Sequence, residues 1–139
     1  MKILLIIPAY NEEKNILEVC NVIKEYNNKA NLKLDYVVIN DESIDDILKI
    51  LQENNLNHVN LINNLGIGWA VQTGYKYAHQ NDYDISFQFD GDGQHDVNYV
   101  SHLCEVLKKN EANMFIGTRY LDKNACKFQT TFMRRLGLE

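Results

Sequence analysis

Apolar runs alternate with stretches of helical period along the chain, and the alternation predicts the elements in order. KILLIIP (2–8) reads as a first buried strand, ended by the only proline. Ile16, Val19, Cys20 and Ile23 then recur at helical spacing. LDYVVIN (34–40) is a second strand, followed by Ile44, Ile47, Leu48 and Leu51 on one predicted helical face. HVNLIN (58–63) is a short strand, and residues 68–80 form a helix with Ala70, Gly74 and Ala78 stacked on one side. DISFQF (84–89) is a strand, Val100, Leu103, Cys104 and Leu107 mark a helix, and MFIGT (114–118) is a last strand.

Strands that read as nearly continuous apolar runs, each followed by a helix, predict an α/β fold. Its sheet is mostly parallel and Rossmann-like, with helices on both faces. Open sheets of this kind bind ligands beyond the carboxyl ends of their strands. The unusual polar chemistry falls at those ends. PAYNEE follows the first strand, NDESIDD the second, NNLGIG the third, DGDGQHD the fourth and TRY the last. One polar loop carries little information, but several rich in Asp, Asn and Gly at one edge predict a site.

Composition narrows the classes. The length of 139 residues, with 45 % hydrophobic and 24 % charged, suffices for one domain with a core. A net charge of −5, with no basic cluster before the C-terminus, argues against nucleic acid as a partner. Cys20, Cys104 and Cys126 form no CxxC pair, and two lie on apolar faces of predicted helices. Buried reduced thiols and a cytoplasmic setting are therefore expected. No apolar run reaches the roughly 18 residues of a membrane span, and MKILLIIPAY lacks the cleavage region of a signal peptide. Leu138 and Glu139, after the basic, amphipathic FMRRLG, read as a cloning scar on a chain expected to continue.

In DGDGQHD, Gly91 and Gly93 allow sharp turns and leave Asp90, Asp92 and Gln94 as oxygen donors. Hard cations such as Mg²⁺ or Mn²⁺ prefer that ligand type. An EF-hand fails, because its glycine position would hold His95 and its closing glutamate position Ser101. A zinc site on His95 and His102 lacks a cysteine at ligand spacing. Asp96 precedes a helix and is expected to cap it. Asn11 is as well placed to cap the first helix, whose positive end Glu12 and Glu13 would favour. Gly66 and Gly68 open a helix whose N–H groups could accept phosphate, although helix packing explains a GxG nearly as well.

IIPAYNEEKNI, VVINDESIDDI, NNLGIGWAVQTGYKYA, FQFDGDGQHD and FIGTRY resemble, in order and spacing, the nucleotide-sugar-binding half of family 2 inverting glycosyltransferases. The branch most similar in look is that of dolichol-phosphate mannose synthase and bacterial polyprenyl-phosphate glycosyltransferases. The resemblance covers residues 2–137 and implies a GT-A fold, with 1–137 as the N-terminal, donor-binding domain. It implies that Pro8, Tyr10, Asn11 and Glu12 line a nucleotide pocket and that Asp41 hydrogen-bonds the base. Asp90 and Asp92 match the DxD motif. Asp92 and Gln94 would hold Mg²⁺ or Mn²⁺ on the diphosphate, and Asp90 would support the nucleotide or sugar. Arg119 would face phosphate, and Arg134 or Arg135 an anionic acceptor.

The activity implied is metal-dependent transfer of a sugar from a UDP- or GDP-linked donor to polyprenyl phosphate or a growing glycan, as in cell-wall or polysaccharide synthesis. The setting implied is the cytoplasm or the cytoplasmic membrane face, with peripheral attachment through a further C-terminal part. The alternatives are a nucleotide-sugar-binding module without catalysis and a nucleotidyltransferase, whose basic Gly-rich signature loop the acidic PAYNEEKN does not match. Two departures stand out. The family's VDDGS reads INDES here, with Asn40 for the first Asp and Glu42 for the glycine. The acceptor-side segment that would carry a catalytic base is also not in the sequence; an ionised phosphate acceptor needs none. Asp92→Asn is expected to abolish metal-dependent nucleotide binding with the fold intact. Unchanged affinity in the presence of metal would refute its role.

Overall fold

The structure, a computed structural model, describes residues 1–90, 97–110 and 114. The chain divides into two compact units, Met1–Glu105 and Val106–Glu139, and the architecture below is that of the first. Of the expected strand at 114–118 only Met114 is described; 115–118 lie outside the described residues, as does the segment 91–96.

Among the described residues four strands form one parallel sheet: β1 (Ile3–Ala9), β2 (Asp35–Asn40), β3 (His58–Asn60) and β4 (Ile85–Gln88). Their order is β3-β2-β1-β4, so the chain winds outward from β1 and then crosses to its other side. The helices are α1 (Ile16–Lys29), α2 (Ile47–Glu53), α3 (Ile67–Gln80) and α4 (Tyr99–Asn110). All seven residues of β1 are buried, as a central parallel strand covered on both faces requires.

Strand pleating sends alternate residues to opposite faces and makes two cores. Ile3, Leu5, Ile7 and Ala9 pack with α1 and α2, with Phe89, and with Val97, Val100 and Cys104. Leu4 and Ile6 pack with Val37 and Ile39 of β2 and with Ala70 and Ala78 of α3. The expected helical faces are buried at Ile16, Val19, Cys20 and Ile23 of α1. Cys20 and Cys104 are buried, as their positions predicted. Burial pushes the Cys20 thiol up to about 11, with Tyr36 beside it as hydrogen-bond partner, so it stays protonated.

Two local expectations need correction. Pro8 does not end β1, which continues to Ala9 with Pro8 opposite Ile39. Ala9 O accepts from Asp41 N–H on the β2 side, whereas Ile6 O accepts from Phe89 N–H on the β4 side. By alternation Pro8 faces the β4 side, beyond the Ile6–Gln88 pair where that ladder stops, so its missing N–H breaks no bond. Ile44 does not join the apolar face of α2. It precedes the helix and is 85 % exposed.

Gly74 sets how closely α3 lies on the sheet. A Cβ there would meet Ile6 Cγ2 at 2.2 Å and Cγ1 at 2.9 Å, in the middle of the α3-facing core. Gly74→Ala is therefore expected to destabilise the fold by about 1–3 kcal/mol, the usual range for overpacking. Urea unfolding measures it. Combined with Ile6→Ala, the total loss should be smaller than the sum of the two single losses.

Candidate functional site

Parallel pairing brings the carboxyl ends of β1, β2 and β3 side by side: Ala9 pairs with Asn40, and Asn40 with Asn60. The loops that follow are tied to one another by side chains. The loop after β2, residues 40–46, sits between the other two and bonds both.

Toward β1 the bonds are reciprocal. Asn11 N–H donates to Ser43 Oγ (3.0 Å), and Ile44 N–H returns a bond to Asn11 Oδ1 (3.0 Å). Glu13 N–H donates to Asp45 Oδ2 (2.9 Å), and Asp46 N–H donates to Glu13 Oε2 (3.0 Å). Asp45 Oδ1 also accepts from Ile47 N–H (3.2 Å), which satisfies a first-turn donor of α2. Asn11 holds φ at +56°, a left-handed conformation that asparagine tolerates better than most residues. It does not cap α1. The cap position is Asn15, whose Nδ2 donates to Glu12 Oε2 at 2.8 Å.

Toward β3 the β2 loop supplies acceptors. Asn40 is 1 % exposed; its amide nitrogen donates to the Asn60 side chain and its Oδ1 accepts from Ser43 N–H. Asp41 is 3 % exposed, and its oxygens take one N–H each, from Leu65 (3.0 Å) and Gly66 (2.8 Å). Glu42, at φ +55°, accepts from Asn64 N–H at 2.6 Å. Gly66, with φ +86° and ψ 166°, adopts a backbone that only glycine takes comfortably. Its carbonyl receives Trp69 and Ala70 N–H, which starts α3.

The expected site residues can now be placed. Pro8, Tyr10, Asn11, Glu12, Asp41, Gly66 and Gly68 gather at this one edge, with Pro8 and Asp41 buried and Tyr10 exposed. Asp90 follows β4 at the same edge, half-buried, with Oδ1 accepting from Gln88 Nε2 at 3.1 Å. The Gly66 N–H offered to phosphate by the sequence is held by Asp41. Asp92, Gln94, Asp96, Arg119, Arg134 and Arg135 lie outside the described residues. An open groove of about 490 Å³ runs along residues 11–15 with Ile44 and Asp45. Among the described residues no group of three or more His, Cys, Asp or Glu is arranged to hold a metal, and no helix is long and apolar enough to cross a membrane.

The sequence did not reveal the roles of Ser43, Glu13, Asp45 and Asn64. Their partners lie some thirty or twenty positions away, and the only local signal was density of Asp, Asn and Glu.

Residues 4–135 match the family described as Glycosyl transferase family 2. The UDP-N-acetylglucosamine--dolichyl-phosphate N-acetylglucosaminyltransferase of Methanococcus voltae is 32 % identical over 144 residues, covering 91 % of this chain and 55 % of that protein. The dolichol-phosphate mannosyltransferase of Pyrococcus furiosus is 31 % identical over 125 residues, covering 87 % and 34 %. The chain thus spans about half the length of the first curated relatives it matches. In fold it is similar to residues 1–349 of S. aureus TarS, with a TM-score of 0.62 at 24 % identity, over 80 % of this chain and 33 % of that one. TarS has been solved with UDP and with UDP-GlcNAc. The likeness bears out the expected GT-A arrangement of sheet and helices.

Asp45 accepts both the first-turn Ile47 N–H of α2 and Glu13 N–H across the loops, so Asp45→Ala is expected to destabilise the fold by about 1–2 kcal/mol. Asp45→Asn keeps one acceptor oxygen and should lose less. Denaturant unfolding of both variants checks the ranking.

Proposed function

The chain belongs to glycosyltransferase family 2, and on that premise we propose that it carries the donor site of an enzyme moving a sugar from a nucleoside-diphosphate sugar to a polyprenyl phosphate. The observation that carries this is the convergence of Pro8, Asn11, Asp41 and Asp90 at one edge of β1, β2 and β4, within the span matched by the family. Lipid-phosphate acceptors are named for both the M. voltae and the P. furiosus relatives. A growing glycan is the other acceptor to test.

In this reading the loops after β1 and β2 receive the nucleotide. Their reciprocal hydrogen bonds join backbone to side chain within the protein itself, so the pocket is ordered before the nucleotide arrives. Asp41 presents a carboxylate whose orientation is set by two N–H groups, and a base donor would take a remaining lone pair. Asp90, Asp92 and Gln94 offer only oxygen, which suits Mg²⁺ or Mn²⁺. When bound, that cation would supply positive charge against the leaving diphosphate. By the family resemblance, Arg119 would supply a cation for phosphate, and Arg134 or Arg135 one for the acceptor. An inverting displacement by an ionised acceptor phosphate needs no protein base.

Calorimetric titration of UDP and GDP, with Mn²⁺ and again with EDTA, tests the reading. Metal-dependent binding of one nucleotide is the expected result and identifies the base. A folded sample that binds neither sinks it. Adding the matching sugar nucleotide and a polyprenyl phosphate separates enzyme from binding module, because only the enzyme releases nucleoside diphosphate with glycosylated lipid.

A further inference from the structure

Glu42 combines features that the donor chemistry above does not use. Its φ of +55° disfavours any residue with a Cβ, and a glycine would sit there without strain. Its side chain is exposed, yet its carboxylate reaches Asn64 N–H at 2.6 Å. The next two N–H groups, of Leu65 and Gly66, are held by Asp41. Three consecutive N–H groups of the loop after β3 are therefore gripped by two consecutive carboxylates of the loop after β2.

Relative to glycine, a strained, solvent-facing glutamate opposes stability unless its side chain does something glycine cannot. The bond to Asn64 is that contribution. It fixes the residue just before the pair that orients Asp41, so the Asp41 carboxylate has one direction before any base approaches. We propose that Glu42 is a positioning residue for nucleotide binding, acting through Asn64 and the loop that aims Asp41. This rests on the donor reading above. It predicts that loss of the side chain lowers affinity without lowering stability, which a purely structural role would not produce.

The test compares wild type, Glu42→Gly and Glu42→Gln by unfolding midpoint, by calorimetry with UDP and GDP in Mn²⁺, and by amide exchange at residues 64–66. Glu42→Gly should keep or raise the unfolding midpoint, exchange faster at Asn64, and bind nucleotide about tenfold more weakly. Glu42→Gln retains an acceptor oxygen for Asn64 and should bind close to wild type. Nucleotide affinity unchanged in Glu42→Gly overturns the proposal while leaving the donor reading intact. Glu42→Gln losing as much affinity as Glu42→Gly also overturns it, since charge and not the tie would then matter. A wild type that binds neither nucleotide refutes the donor reading, and the positioning role falls with it.

Discussion

The loop between β2 and α2 is the constraint on which the rest of the edge depends. A parallel sheet delivers three strand ends side by side, each about 4.8 Å from the next, but leaves their backbone N–H groups without ladder partners. Residues 40–46 resolve this from the middle. Their side chains accept N–H groups from the loops on both sides, and their own N–H groups are accepted by Asn11 and Glu13 in return. Among the described residues no buried side-chain polar atom is left without a partner. An edge wired in this way has few alternative arrangements, because breaking one tie exposes groups on two loops at once.

That wiring needs the sheet to be correct first. The central strand β1 must be buried along its whole length, so that Ala9 and Asn40 end level and their loops meet. Gly74 contributes from the opposite side. By omitting a Cβ against Ile6 it lets α3 lie close to β1, which brings the start of α3 and the Gly66 turn within reach of Asp41. Packing under the sheet and hydrogen bonding at its edge are thus two parts of one geometric requirement.

How much of this was legible in the sequence follows from the range of each interaction. Buried strands such as ILLIIP announce themselves because both faces are apolar, and the helices because their period is local. Pro8 was misread because whether a missing N–H matters depends on which neighbour faces it, and that alternation is set by pairing across the sheet. Ile44 was misread because it falls at helical spacing from Ile47, Leu48 and Leu51, while its N–H is claimed by Asn11, thirty-three positions earlier. Glu13 had a plausible local role at the positive end of α1, and nothing nearby in the chain points to its bond with Asp46. The departure at position 42 was legible as glutamate in place of the family's glycine, and its φ of +55° is a conformation glycine takes more readily.

The acidic residues of this edge then fall into two kinds. Glu13, Asp41, Glu42 and Asp45 face fixed N–H dipoles, which offset their charge without any cation. A cation arriving at them would have to compete with bonds already made, and releasing those bonds would undo the loops. Two crowded acidic runs, NDESIDD and DGDGQHD, look alike in composition, and in the first the carboxylates of Asp41, Glu42 and Asp45 each accept backbone N–H groups. The carboxylates of the first run that already hold N–H groups are therefore poorly placed to hold a cation as well.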